Sequence, residues 1–161
     1  MTIAEGTSTS KSKLTGTDEA TIDEKGRILI PRKKRDRLGE SVVIRFTEFE
    51  CIALYPAQVW DQLADKIIEL DRTNSGDGEY TRLMLGNAEE DIVFDSQGRF
   101  VIPQKMRTDA RLKKNVILVG CGDRLEVWAK EEYEEYLNHS KTYRLERRQL
   151  FASALDAIKG A

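Results

Sequence analysis

The chain has 161 residues, 34% of them charged and 40% hydrophobic, with a net charge of −2. That is room for one domain or two small halves sharing a core, with no apolar run near the ~20 residues a membrane helix needs. Two cysteines, Cys51 and Cys121, cannot make a disulfide framework, and a single histidine, His139, leaves no zinc cluster, so no metal or cofactor and reduced cysteines are expected.

In chain order, residues 1–17 read as a flexible Ser/Thr/Gly-rich tail carrying Lys11 and Lys13. It lacks the apolar stretch of a secretory signal, which places the protein in the cytoplasm. Residues 18–73 form a first unit: an extended segment, a turn at Glu24-Lys25-Gly26, and a strand over Arg27 to Ile30. Pro31 then opens a short helix, RKKRDRL. A β-hairpin made of SVVIRF and CIALYP follows, and then a helix over Ala57 to Asp71 with Val59, Trp60, Leu63, Ile67 and Leu70 at helical spacing. NSGDGE, Asn74 to Glu79, reads as a linker, and YTRLMLGNAEE as a short helix feeding a second unit over residues 80–138.

The second unit repeats the first. DEKGRILIP at Asp23 to Pro31 returns as DSQGRFVIP at Asp95 to Pro103, and the 72-residue offset also carries Arg35 to Arg107. Ser96-Gln97-Gly98 is the matching turn, Arg99 to Ile102 the strand, QKMRTDARL the helix, NVILVG and RLEVWA the hairpin, and Lys130 to Asn138 a further helix. Trp60 and Trp128 are assigned to the core. Residues 139–161 form a helical extension, amphipathic in outline, with Tyr143, Leu150, Ala154 and Ile158 on one side and Arg144, Arg147 and Arg148 elsewhere.

One ββαββ unit buries too little apolar area and leaves open edges, whereas two can close on each other. The expected fold is therefore α+β: a barrel with pseudo-two-fold symmetry built from two ββαββ repeats with flanking helices. Charge follows the same repeat. Residues 25–37 are net +6 and residues 97–114 net +5, which leaves the rest of the chain at −13. A polyanion meets the basic side first.

The paired Asp-x-x-Gly-Arg-x-x-Ile-Pro motifs, ALYP ending at Pro56, RLMLGNA from Arg82 and VGCGDRLEVW ending at Trp128 together resemble the MraZ family of bacterial transcriptional regulators, over about Leu14 to Leu137. DEKGRILIPRKKRDRLG also resembles the AbrB-like transition-state regulators. What the resemblance implies is a double swapped-hairpin barrel, a homo-oligomeric ring, association with the nucleoid, and binding to repeated promoter boxes upstream of a division and cell-wall gene cluster. In the family the Asp-x-x-x-Arg element is the DNA-binding signature, and it falls here on Asp23 with Arg27 and on Asp95 with Arg99.

The residue chemistry agrees with a double-stranded DNA partner. Arginine presents a planar fork that grips guanine or phosphate bidentately, so Arg27 and Arg99 are the expected DNA contacts, while Asp23 and Asp95 orient them. Lys25 and Gln97, at the turn tips, reach backbone or base edge. Arg32, Lys33, Arg35, Lys105 and Arg107, on the helices after the prolines, hold phosphates. An enzyme is not expected: phosphate loop, nucleophile elbow and dinucleotide fingerprint are all missing, and no small-molecule substrate or membrane is implied. The alternative is a non-catalytic oligomeric scaffold or antitoxin-like barrel that binds an acidic protein.

Overall fold

A computed structural model describes residues 13–70, 73–139 and 141–160; the side chains of 141–144 lie outside that description. Residues 1–12, most of the expected tail, lie outside it as well, as do the side chains of Tyr143 and Arg144. The described chain divides into two compact units, Met1–Lys130 and Glu131–Ala161.

The larger unit runs β1 (Thr17–Thr21), β2 (Arg27–Leu29), α1 (Arg32–Leu38), β3 (Val42–Phe46), β4 (Ile52–Pro56), α2 (Ala57–Ile68), α3 (Ser75–Gly86), β5 (Ala88–Ile92), β6 (Arg99–Val101), α4 (Gln104–Asp109), β7 (Asn115–Gly120) and β8 (Leu125–Ala129). Six strands form one antiparallel sheet in the order β1-β7-β8-β4-β3-β5, and β2 pairs with β6 in a separate ribbon. The order is symmetric about the central β4–β8 pair, where Ile52 faces Val127 and Leu54 faces Leu125. Each repeat gives its first strand to the other, β1 to β7 and β5 to β3, so neither repeat has a complete sheet of its own.

Alternation along the strands builds a core on each face of the sheet. Val42, Ile44, Ile52, Leu54, Val116, Leu118, Leu125 and Val127 turn to one side and meet Ile28 and Ile30 from the first repeat with Phe100 and Ile102 from the second. Val43, Ala53 and Tyr55 turn to the other and are covered by Trp60, Val59 and Leu63 of α2. Trp60 and Trp128 are both buried, as expected. Buried polar groups are matched: Trp128 Nε1 donates to Glu126 at 3.0 Å, Arg124 pairs with Glu126 at 3.1 Å, Arg45 bonds the Tyr55 hydroxyl, and the Lys34 ammonium pairs with Asp18. Burial pushes the Cys51 thiol up to about 12, and both cysteines are free.

Two expectations are corrected. The ladder is open rather than a closed barrel: β1 and β5 stand at opposite ends of the sheet, and β2 is joined to the first hairpin segment by the isolated bridge Ile22–Ile28 rather than by a ladder. The short ribbon strands stop just ahead of Pro31 and Pro103, whose missing N–H groups cannot extend a ladder. The ribbon covers the core by side-chain packing instead. Secondly, NSGDGE is a helix start and not a linker. The Asn74 side chain accepts hydrogen bonds from Gly76 N at 2.9 Å and Asp77 N at 3.2 Å and caps α3. A good N-cap outweighed two glycines. The residues Ala88 to Glu90, expected at the end of this helix, already belong to β5.

The chain from Leu14 onward is tied down, with Leu14 buried and bridged to Gly122. In the smaller unit α5 (Lys130–Leu137) and α6 (Lys141–Gly160) are helical, and the Arg147 guanidinium lies 4.5 Å from the centre of the Tyr136 ring. No helix among the described residues is long and apolar enough to cross a membrane.

Candidate nucleic-acid interface

The motif spacing follows from turn chemistry. In Asp23-Glu24-Lys25-Gly26 the Asp23 carbonyl accepts from Gly26 N at 2.9 Å, which closes a four-residue turn, and Gly26 takes φ 81°. Glycine reaches that left-handed backbone at little cost. The Asp23 carboxylate folds over the turn, with Oδ1 accepting from the amides of Lys25 and Arg27 at 2.9 Å each. The second turn repeats this bond for bond: Asp95 O accepts from Gly98 N at 3.0 Å, and Asp95 Oδ1 from Gln97 N and Arg99 N at 2.9 Å. Aspartate suits this position because its short side chain reaches amides two residues on.

The second carboxylate oxygen orients the arginine. Asp23 Oδ2 accepts from Arg27 Nε at 2.7 Å, and Asp95 Oδ2 from Arg99 Nε at 3.2 Å. Binding the Nε edge leaves the four Nη–H donors of each fork for another acceptor. The side chains of Arg27 and Arg99 are 31% and 28% exposed. Their position in the ribbon decides which way they face. Arg27 stands opposite Val101, Leu29 opposite Arg99, and Ile28 opposite Phe100. Ile28 and Phe100 are buried, so by the strand's two-residue period the other four side chains share the outer face. The two arginines are diagonal neighbours there, about 7–8 Å apart or slightly closer by sheet geometry. Leu29 and Val101 are exposed at 53% and 51% between them.

Hydrogen bonds hold both aspartate carboxyls below the usual carboxylate range. The largest cause in each is the backbone amide of the arginine four residues on, ahead of the arginine side chain. A folded pKa below the unfolded one means that the contribution to stability is present above pH 3.8 and is lost as pH falls through the lowered value. In carboxyl-detected NMR both groups should titrate with midpoints under 3.8. In Arg27→Ala the Asp23 midpoint should stay under 3.8, because the main donor is backbone; a return to 3.8 or above would contradict the turn geometry.

The remaining expected residues separate into two groups. Lys25, Gln97, Arg32, Lys33 and Lys105 are exposed, with Lys105 paired to Asp109 at 2.7 Å. Arg35 and Arg107 are placed differently from the outward helix position expected of them. Each is half-buried: Arg35 Nε donates to Ile30 O at 2.8 Å, and Arg107 Nε to Ile102 O at 2.9 Å. Their guanidinium groups lie against the turn glycines of the opposite repeat, so a Cβ on Gly98 would fall 2.5 Å from Arg35 Cζ, and one on Gly26 2.6 Å from Arg107 Cζ. Sequence reasoning missed this exchange, which joins residues more than 60 positions apart; its trace is that Arg35 and Arg107 keep the same register as the turns. It also left Lys113 and Lys114 unassigned, although they fall where the repeat offset lengthens.

Comparison with known proteins agrees with the repeat. The family model described as "MraZ protein, putative antitoxin-like" matches residues 14–82 and again 84–152. A protein of Finegoldia magna named "Transcriptional regulator MraZ" is 38% identical over 119 residues, covering 74% of this chain and 82% of that protein. Proteins of the same name from Thermoanaerobacter sp. strain X514 and Caldanaerobacter subterraneus subsp. tengcongensis are 39% identical over 127 residues and 40% over 123, covering 88% and 85% of their own lengths. With both repeats matched and relatives aligned over most of their lengths, this chain belongs to the MraZ family.

Proposed function

We propose that this chain is a sequence-specific DNA-binding transcriptional regulator that grips double-stranded DNA through the outer face of the β2–β6 ribbon. One observation carries the reading: two Asp-oriented arginine forks, one from each repeat, stand side by side on the same solvent-facing surface. Held forks suit bidentate recognition of guanine edges, and a two-stranded ribbon is narrow enough for the major groove. Leu29 and Val101 add apolar surface that base edges can cover.

Lys25 and Gln97 at the turn tips, and Arg32, Lys33 and Lys105 at the helix starts, set register through phosphate contacts. Arg35 and Arg107 shape the turns that present the grip. A homo-oligomer, arranged as a ring, would line up several ribbons, so that promoter boxes repeated along DNA are bound with avidity. In this reading the protein works in the cytoplasm at the nucleoid, on a promoter upstream of division and cell-wall genes, and performs no catalysis.

The test is selection of bound fragments from the host's own genome. Fragments carrying a short repeated box should be enriched, and log K should fall linearly with log salt, by about 0.9 per contacted phosphate. If no fragment is retained better than random duplex at low salt, the reading fails and a protein-binding scaffold takes its place.

A further inference from the structure

The two repeats are not equivalent in charge where the turn meets the helix of the opposite repeat. Between the first turn and α4 lies a groove of about 820 Å³, and its pseudo-symmetric counterpart beside α1 measures about 460 Å³. Four of the smaller groove's lining residues match the larger at the 72-residue offset: Arg107 with Arg35, Thr108 with Asp36, Leu112 with Glu40, Ile22 with Phe94. Lining the larger groove are five cations, Lys25, Arg27, Arg107, Lys113 and Lys114, against two carboxylates. The smaller groove stops short of the second turn; at the positions matching the larger groove the second turn and α1 place three cations, Arg32, Arg35 and Arg99, against three carboxylates, Asp36, Glu40 and Asp95.

Two inserted residues account for much of the difference. The repeats run at an offset of 72 through Glu40 and Leu112 and at 74 over the first hairpin strand, from Ser41 and Asn115; the residues gained are Lys113 and Lys114. Lys25 in place of Gln97, with Thr108 and Leu112 in place of Asp36 and Glu40, makes up the rest. In the first repeat the chain leaves α1 through Gly39 at φ 84°, whereas in the second Arg111 takes the left-handed position at φ 56° and pairs with Glu50 at 2.9 Å. The insertion is then fastened to the opposite hairpin, where Ile22 N donates to Lys114 O at 2.8 Å. Both lysines are exposed. Of the two lining carboxylates, Asp23 is already committed to the turn amides and to Arg27, so Glu24 is the other available to offset the cluster. Cations converging in a concave, partly desolvated surface focus a positive potential suited to a chain of phosphodiesters.

We propose that this groove is the track for one strand's phosphate backbone and that its counterpart, where the charges cancel, is not, so each subunit holds DNA in a single orientation despite its internal symmetry. The inference rests on the DNA-binding reading above and names the residues that make the grip one-sided. A phosphate track contributes affinity without reading sequence, so its loss should weaken selected and random duplexes alike.

The experiment compares wild type, Lys113→Gln/Lys114→Gln, Lys113→Arg/Lys114→Arg, and a control of equal charge change, Lys66→Gln/Arg82→Gln. Each is titrated with a fragment selected by wild type and with random duplex of the same length, across a salt series. The glutamine pair should flatten the slope of log K on log salt by at least about 1.8, one increment of 0.9 per lysine, on both duplexes. Their affinity ratio should survive, the arginine pair should restore the slope, and the control should keep it. Retention of the wild-type slope by the glutamine pair, or equal flattening by the control, overturns the track while the DNA-binding reading stands. Failure of wild type to retain any duplex overturns both.

Discussion

Replacing Arg27 and Arg99 together by alanine should abolish the preference for promoter fragments while leaving a folded protein that still holds random DNA. Each bidentate arginine–guanine contact discriminates by about 1–3 kcal/mol, or roughly 5- to 150-fold in affinity. On the proposed reading, two forks on one ribbon face would account for selectivity, and the surrounding lysines would not. Fold stability should barely move. The Asp–Arg pairs are at least partly exposed at both ends, and such surface pairs contribute little to stability. The aspartates also keep their turn amides when the guanidinium is removed. Arg27→Lys with Arg99→Lys sharpens the result, because lysine keeps the charge and loses the fork. Competition between selected and random duplex should show both double variants near a ratio of one, with the lysine form holding random DNA more tightly than the alanine form. Wild-type selectivity in the alanine form would sink the assignment of these residues.

What could be read from sequence, and what could not, divides by the range of the interactions. The Asp-x-x-Gly-Arg turns were legible because every bond that defines them spans four residues or fewer, from Gly26 N on Asp23 O to Arg27 Nε on Asp23 Oδ2. The same is true of Pro31 and Pro103 opening helices and of the alternation that puts Val42, Ile44, Ile52 and Leu54 in one core. Duplication added a second reading of each element. The open ladder was not legible, since nothing local says whether β1 and β5 meet; that depends on how far the sheet twists over six strands. Helix α3 was obscured by Gly76 and Gly78, although Asn74 two residues earlier carried the cap signal. At the candidate site, Arg27 and Arg99 were visible as types at a spacing, but the face they share rests on the ribbon register, Arg27 against Val101 and Leu29 against Arg99. Arg35 and Arg107 resembled any basic residue on a short helix. Only the fold brings each against a glycine in the other repeat.

That exchange leads to the second large effect. Gly26→Ala should destabilise the protein by about 2–4 kcal/mol, and Gly98→Ala by a similar amount. The left-handed backbone alone costs an L-residue roughly 1–2 kcal/mol, and both turn glycines sit at φ 81°. The new methyl must also displace a guanidinium, which Arg107 could do cheaply as a long side chain if it were unattached. It is attached: Arg107 Nε donates to Ile102 O at 2.9 Å, and a hydrogen bond from a charged group contributes about 1.5–3 kcal/mol. Gly122→Ala separates the two causes. Its φ is 85°, yet a Cβ there meets nothing within 4 Å, so it should carry the positive-φ cost without a clash. A double-mutant cycle between Gly26→Ala and Arg107→Ala should then show a coupling of about 1 kcal/mol or more, because removing the arginine relieves the clash. Thermal or denaturant unfolding reads all of these. If Gly26→Ala costs no more than Gly122→Ala and the cycle shows no coupling, Arg107 does not brace the turn. The presentation of Arg27 would then depend on the Asp23 hydrogen bonds alone.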